Sequence, residues 1–198
     1  MKIIFLSLTI FFIDQVSKII VRGFSFPLFS IKLNGLYAGE SKPLIQNVLH
    51  ITLVENPGIA FGIDPGELLR DLILIITILT CIGFFVYLMI VKNADTKIRI
   101  AVALILGGAV GNLFDRIFYG IIYNYAPLFQ GNVVDFLDVR IFKIFLFDNI
   151  HGNYVFNFAD VSILSGVFLL IYLILSNKKQ KNVKELIPQI VDDKEDSN

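Results

Sequence analysis

"FNFADVSILSGVFLLIYLIL", residues 156–175, decides how the chain is read. From residue 161 onward it carries no charge, and an apolar helix of about 20 residues is long enough to cross a bilayer. Yet Asp160 stands at its start. A carboxylate at the bilayer centre costs about 2.5–3.5 kcal/mol on insertion scales, so an acid inside such a stretch is a functional candidate by default. A second acid, Asp135, lies in an equally apolar run, "NVVDFLDV" (132–139).

Outward from this stretch, three more segments reach span length. Residues 3–21 are interrupted by Asp14, Gln15, Ser17 and Lys18; 72–91 hold no charge; 98–113 end in "GGAVGN" (107–112) and the residue after it. The fourth span is 157–175. The chain is 56% hydrophobic and 17% charged, against about a quarter charged in soluble domains. The expected class is a mainly α integral membrane protein: a four-transmembrane-helix bundle with a small outward-facing β-rich cradle. Zero net charge gives no case for a nucleic-acid partner. The single cysteine, Cys81, excludes an intrachain disulfide. The first span is not read as a cleaved signal peptide, because it carries Asp and Lys and no small-residue cleavage site follows it.

Positive residues near span ends set orientation. Lys92, Lys97 and Arg99 lie between spans two and three, Lys178, Lys179, Lys181 and Lys184 follow span four, and Lys2 precedes span one. Both termini are therefore expected in the cytoplasm, with the long connections facing outward. Those connections are not linkers. "VLHITLVENPGIAFGI" (48–63) is β-rich and then turns at Asn-Pro-Gly, and "VVDFLDVRIFKIFLF" (133–147) partly alternates. The reading is one membrane-embedded domain, 1–177, with outer β-rich segments at about 23–67 and 119–156. The charged tail, 178–198, is expected to be disordered.

The polar residues fall into groups. Asp14 and Lys18, four apart, share one helical face and can pair; Lys18 is near enough to the outer end to snorkel to the interface. Ser17 points about 100° away from Lys18, which argues against a Ser–Lys nucleophile. In "GGAVGNLFDR" (107–116), Gly107, Gly108 and Gly111 permit close helix approach. Asn112, Asp115 and Arg116 read as a helix-end network, with Arg116 holding Asp115 ionised. Asp135 and Asp160 have no close basic neighbour and can reach the same depth. Two carboxylates meeting in a low-dielectric site share one proton, the working state of an aspartic protease. Spacing alone leaves separate structural roles, ion binding or a pair involving Asp115 open. Asp138 is a weaker candidate. The only histidines, His50 and His151, form no zinc motif; Ser165 has no partner histidine in its span; Cys81 reads as packing. Two non-enzymatic readings also stand: a proton-coupled small membrane transport protein, which predicts an acid deep in a span and internal symmetry, and a bundle whose acids only pair with Lys18 and Arg116.

Five ordered blocks then carry a resemblance: "DQVSK" (14–18), "NPGIAFG" (56–62), "GGAVGNLFDR" (107–116), "VVDF" (133–136) and "FNFAD" (156–160). With them the chain resembles the lipoprotein signal peptidase family, also called signal peptidase II or prolipoprotein signal peptidase. The resemblance implies an aspartic endopeptidase of the bacterial cytoplasmic (inner) membrane, with its active site near the outer face. It implies removal of the signal peptide from diacylglyceryl-modified prolipoproteins, just before the lipidated cysteine. It implies Asp135 and Asp160 as catalytic, and Asp14, Lys18, Asn56, Gly58, Asn112, Asp115, Arg116 and Asn157 as substrate-binding or site-shaping. It implies no metal or organic cofactor, and globomycin as an inhibitor of the site. Three stretches depart from the family's pattern: "IFYGIIYNYAPLFQGN" (117–132), "LDVRIFKIFLFDNIHGNYV" (137–155) and the long connection 23–47. They are expected to enlarge the outer domain.

Overall fold

The structure, a computed structural model, describes residues 2–26, 30–58, 66–90, 95–140 and 155–195, with side chains of the last helix described to residue 176. Part of "NPGIAFG" (59–62), Lys92, His151 and most of the 137–155 extension lie outside the described residues.

The chain order is α1 (Lys2–Arg22), β1 (Gly23–Phe26), β2 (Ile31–Asn34), β3 (Ser41–Ile45), β4 (Leu49–Asn56), α2 (Gly66–Ile90), α3 (Thr96–Phe114), a π-helical turn (Asp115–Tyr119), a short α4 (Gly120–Ile122), β5 (Val133–Val139), β6 (Val155–Phe156) and α5 (Phe158–Glu195). Four helical stretches are long and apolar enough to cross a membrane: Lys2–Arg22, Gly66–Ile90, Thr96–Ile122 and Phe158–Ser176. The mainly α four-span class stands, and the small antiparallel sheets with it.

Two boundaries move from their expected places. The second span starts at Gly66 rather than 72, and the third runs through the π-helical turn to Ile122 rather than ending at 113. The first shift is simple: Glu67, Arg70 and Asp71 break the apolar pattern but not the helix. The second has a local cause. A π-helical turn leaves carbonyls without their usual i+4 amide partners. Here the following loop supplies donors from outside: the Phe129 amide donates to the Ile117 carbonyl (3.0 Å) and the Gly131 amide to the Arg116 carbonyl (2.9 Å).

α3 is the centre of the bundle; most of its span is buried, while the other three are largely exposed at their perimeter. Its glycines make that possible. A Cβ at Gly107 would stand 2.8 Å from the Ser7 carbonyl oxygen, and one at Gly108 would collide with the Ala159 carbonyl. α1 and α5 therefore press directly on the α3 backbone, as small residues allow in lipid, where no hydrophobic effect drives helices together. Hydroxyls fasten the contact: Ser7 Oγ donates to the Ala103 carbonyl and Ser162 Oγ to the Leu104 carbonyl, both at 2.9 Å.

At the end of the bundle where α1 and α3 finish and α5 begins, a four-stranded antiparallel sheet runs β3-β4-β5-β6, beside a β1-β2 hairpin. Val54 pairs with Asp135 and Asn56 with Val133. The register shifts between Ile51 and Val54. Leu53, Val134, Phe136 and Tyr119 form a buried cluster that seats the sheet on the end of α3. The tail differs from expectation: α5 continues to Glu195 through the residues expected to be disordered. Val183, Leu186, Ile187, Ile190 and Val191 recur at helical spacing there, a period the high charge of the segment hides.

Candidate active site

The acid at the start of the fourth span has a local structural cause. Asn157 precedes α5 and caps it: its Oδ1 accepts from the Asp160 amide at 2.9 Å. Asp160 returns the bond, its Oδ2 accepting from the Asn157 amide at 3.1 Å. This is the reciprocal logic of a capping box, and a carboxylate in a first helical turn also meets the positive end of the helix dipole. It uses one carboxylate oxygen only. Asp160 Oδ1 turns to α3 and accepts from Asn112 Nδ2 at 2.8 Å.

Asp135, on β5, is 3% exposed. Its Oδ1 accepts from Asn157 Nδ2 (2.7 Å) and its Oδ2 from Asn56 Nδ2 on the neighbouring strand (3.0 Å). Asn157 thus touches both acids. Asn56 is held in turn by the Gly58 amide, which donates to its Oδ1 at 2.9 Å. Gly58 has φ of 141°, a conformation that side chains disfavour. Burial, and then the nearby charge of Asp160, pushes the Asp135 carboxyl up to about 7, against the opposing pull of the Asn56 and Asn157 donors.

Behind this pair lies a buried ion cluster. Lys18 Nζ is 2.7 Å from Asp14 and 2.7 Å from Asp115, with no exposure on any of the three side chains. It also donates to Asn112 Oδ1 at 2.9 Å. Asn157 Nδ2 donates to the same oxygen at 3.0 Å. With two donors on its oxygen, Asn112 must turn its amide nitrogen to Asp160. Asp14 Oδ1 accepts from the Ala159 amide of α5 (3.0 Å), and Asp115 Oδ2 from the Val134 amide beside Asp135 (3.2 Å). The cluster therefore fixes α1, α3, α5 and β5 against one another.

The ten residues named as catalytic or site-shaping come to this one end of the bundle, but two pairings differ. Lys18 does not snorkel; two buried carboxylates hold it inside. Asp115 is paired with Lys18 and not with the adjacent Arg116, whose Nη1 instead donates to the Asn112 carbonyl at 3.2 Å. Arg116 stands within electrostatic reach of Asp115, Asp135 and Asp160. Ser17 Oγ bonds the Asp14 carbonyl and stays away from Lys18, as the helical geometry requires. Asp138 is tied into the sheet by Thr52 and Arg140, each at 2.8 Å.

Two members went unread. Gln15 Nε2 donates to Asp115 (2.8 Å) and Asp14 (3.2 Å), while its Oε1 accepts from Tyr119 OH (3.0 Å). Gln15 is a polar residue beside Asp14 in an apolar span, which was a usable signal. Tyr119 gave none, because the π-helical turn that brings it inward has no sequence mark. Among the described residues, no cluster of three or more His, Cys, Asp or Glu stands at metal-binding geometry.

A family model described as signal peptidase (SPase) II matches residues 6–176. A lipoprotein signal peptidase of Desulfitobacterium hafniense is 34% identical over 174 residues, covering 87% of this chain and 92% of the relative. One from Fusobacterium nucleatum is 34% identical, covering 91% of this chain and 90% of the relative. Two solved structures, each described as a bacterial membrane enzyme, superpose with TM-scores of 0.67 and 0.64 at 28% and 31% identity. They cover 91% and 88% of this chain, and 91% and 92% of their own lengths.

Proposed function

The chain belongs to the signal peptidase II family, a family of multi-pass bacterial membrane peptidases, and on that premise we propose that it is an aspartic endopeptidase of prolipoproteins. Its substrate is a diacylglyceryl-modified prolipoprotein, cut just before the lipidated cysteine. One observation supports the two-acid mechanism best: Asn157 bonds both Asp135 and Asp160, with the Asp135 carboxyl pushed up to about 7. Such a pair shares one proton near neutral pH.

In this reading the buried Asp135 carries the proton and donates it to the scissile carbonyl. Asp160, more exposed and held by the Asn112 and Asn157 donors, takes a proton from the attacking water. The tetrahedral intermediate then collapses: Asp135 takes back the proton of one hydroxyl as the carbonyl re-forms and the C–N bond breaks, the proton held by Asp160 passes to the leaving amine, and the lipidated cysteine becomes the new N-terminus. Asn56, Asn112 and Asn157 hold the carboxylates in place, which supports catalysis through preorganised donors. Asp14, Lys18, Asp115 and Arg116 fix the elements that bear them. Gly58 fixes Asn56. Residues 1–177 act as one membrane-embedded unit with both termini in the cytoplasm and the acids near the outer face. That depth suits a substrate whose signal helix is membrane-anchored and whose cleavage site must unwind before it can be cut. A globomycin-type peptide inhibitor competes for the same place.

The substrate assignment is tested by presenting the purified protein with one prolipoprotein in two forms, with and without the diacylglyceryl group. Mass analysis should show a single cut before the modified cysteine and no cut in the bare form. Equal cutting of both forms would remove the lipid from the recognition scheme.

A further inference from the structure

Between Arg116 and Asp135 the chain holds no charged residue. A segment that enlarged a water-facing domain would not look like this. Ile121, Ile122, Tyr125, Leu128 and Phe129 are between 39% and 50% exposed, a concentration of bare apolar surface that a soluble face seldom carries. Ile121 and Ile122 end the third membrane span itself. The patch also continues along the bundle through rings: Phe118 packs on Phe114 (4.8 Å between centroids), Phe114 on Phe11 (5.6 Å), and Phe11 on the outward-facing Phe12 (5.4 Å).

The Tyr123 and Tyr125 hydroxyls are bonded within the protein, and the exposed polar side chains of the segment are Asn124 and Gln130. Tyr123 OH donates to the Gly23 carbonyl (3.1 Å), and Tyr125 OH accepts from the Asn132 amide (2.7 Å). The Arg22 guanidinium lies 3.5 Å above the Tyr123 ring and 5.1 Å from that of Tyr125. Its Nη2 reaches Glu55 Oε1 at 2.6 Å. Glu55 is the strand neighbour of Asn56, which bonds Asp135. Tyrosines with an apolar body and a bonded hydroxyl are at home at the headgroup level of a bilayer.

We propose that residues 117–131 are an interfacial membrane anchor: their apolar side rests in the leaflet nearest the sheet, and their tyrosine side grips Arg22 and Glu55, so that the membrane surface sets the height of the strand bearing Asn56. The occupant of the exposed patch is lipid. The anchor needs only the membrane reading of the chain and is independent of the peptidase chemistry.

The chain contains no tryptophan, so a single one reports alone. Leu128→Trp and, in parallel, Phe129→Trp change exposed side chains and spare the core. Each variant is placed in phosphatidylcholine vesicles carrying bromine at known depths along the acyl chain. The anchor predicts blue-shifted emission, shielding from aqueous iodide, and stronger quenching by bromines near the carbonyl end than near the methyl end, as for a group about 5–10 Å into the interface. Iodide quenching equal to that of free tryptophan, with no effect of bromolipids, would overturn the proposal in favour of a water-facing loop. Shielding from both quenchers would overturn it too, with a second copy of the chain as the cover.

Discussion

Asp135 and Asp160 show how one residue type serves two needs. Asp160 is half of a helix cap, and would sit there for that reason alone. What makes it more is the bond from Asn112 and the acid across Asn157. The sign of the pH dependence follows from Asp135. Its carboxyl is pushed up to about 7, so the proton the reaction needs is present below that pH and lost above it. kcat/KM on lipidated substrate should fall about tenfold per pH unit on the basic side, with a midpoint near 7; a flat profile to pH 9 would exclude Asp135 as the acid. Asn157→Ser separates cap from site. Serine caps about as well as asparagine, so the variant should stay folded with a modestly lower melting temperature in detergent, but the amide donor to Asp135 and Asn112 is lost. Activity should drop about 10²–10³-fold. Lys18 is the residue the sequence misplaced. The i, i+4 spacing to Asp14 was readable; the second carboxylate, from α3, was not, because nothing in the sequence states which faces of two helices meet. Lys18→Met leaves two buried acids without their cation and should cost about 3–5 kcal/mol, read as a large fall in thermal stability.

The spans were readable as elements because their apolar runs exceed what any alternative needs. Their ends were not. The third span's end is set by a π-helical turn whose freed carbonyls are taken up by Phe129 and Gly131, a long-range match invisible to a local pattern. The same turn explains why the Asp115–Arg116 pairing was misread: consecutive helical residues diverge, and Asp115 faces Lys18 while Arg116 turns back to the Asn112 carbonyl. Gly131 is the test of this element. A Cβ there would run into the Asp115 carbonyl and stand 3.0 Å from the Gly120 nitrogen. Gly131→Ala should therefore loosen the loop from α3, at a cost of about 1–3 kcal/mol, visible as faster amide exchange at Phe129 and as lower thermal stability. The glycines of "GGAVGN" were readable as a close-approach face, and they are one: Gly107 lies against α1, Gly108 against α5, and Gly111 against the Asp14 side chain.

At the scale of the molecule, the class and the family were readable because ordered motifs sit on spans of fixed length. Their convergence is a tertiary fact: α1 brings Asp14 and Lys18, α3 brings Asn112 and Asp115, the sheet brings Asn56 and Asp135, and α5 brings Asn157 and Asp160. The 117–132 extension read as part of a larger outer domain; its first residues, to Ile122, continue the third span, and Ile121, Ile122, Tyr125, Leu128 and Phe129 are exposed beside Asn124 and Gln130. The tail read as disordered because its charge masks a helical period. Asp135 and Asp160 are proposed to act as one shared-proton pair. The most direct test is cleavage of a diacylglyceryl-modified prolipoprotein by the purified protein, beside Asp135→Asn and Asp160→Asn variants with native-like melting curves. Each variant should lose activity by about 10³-fold or more. Substantial cutting by either folded variant would contradict that pairing and pass the acid's role to Asp115.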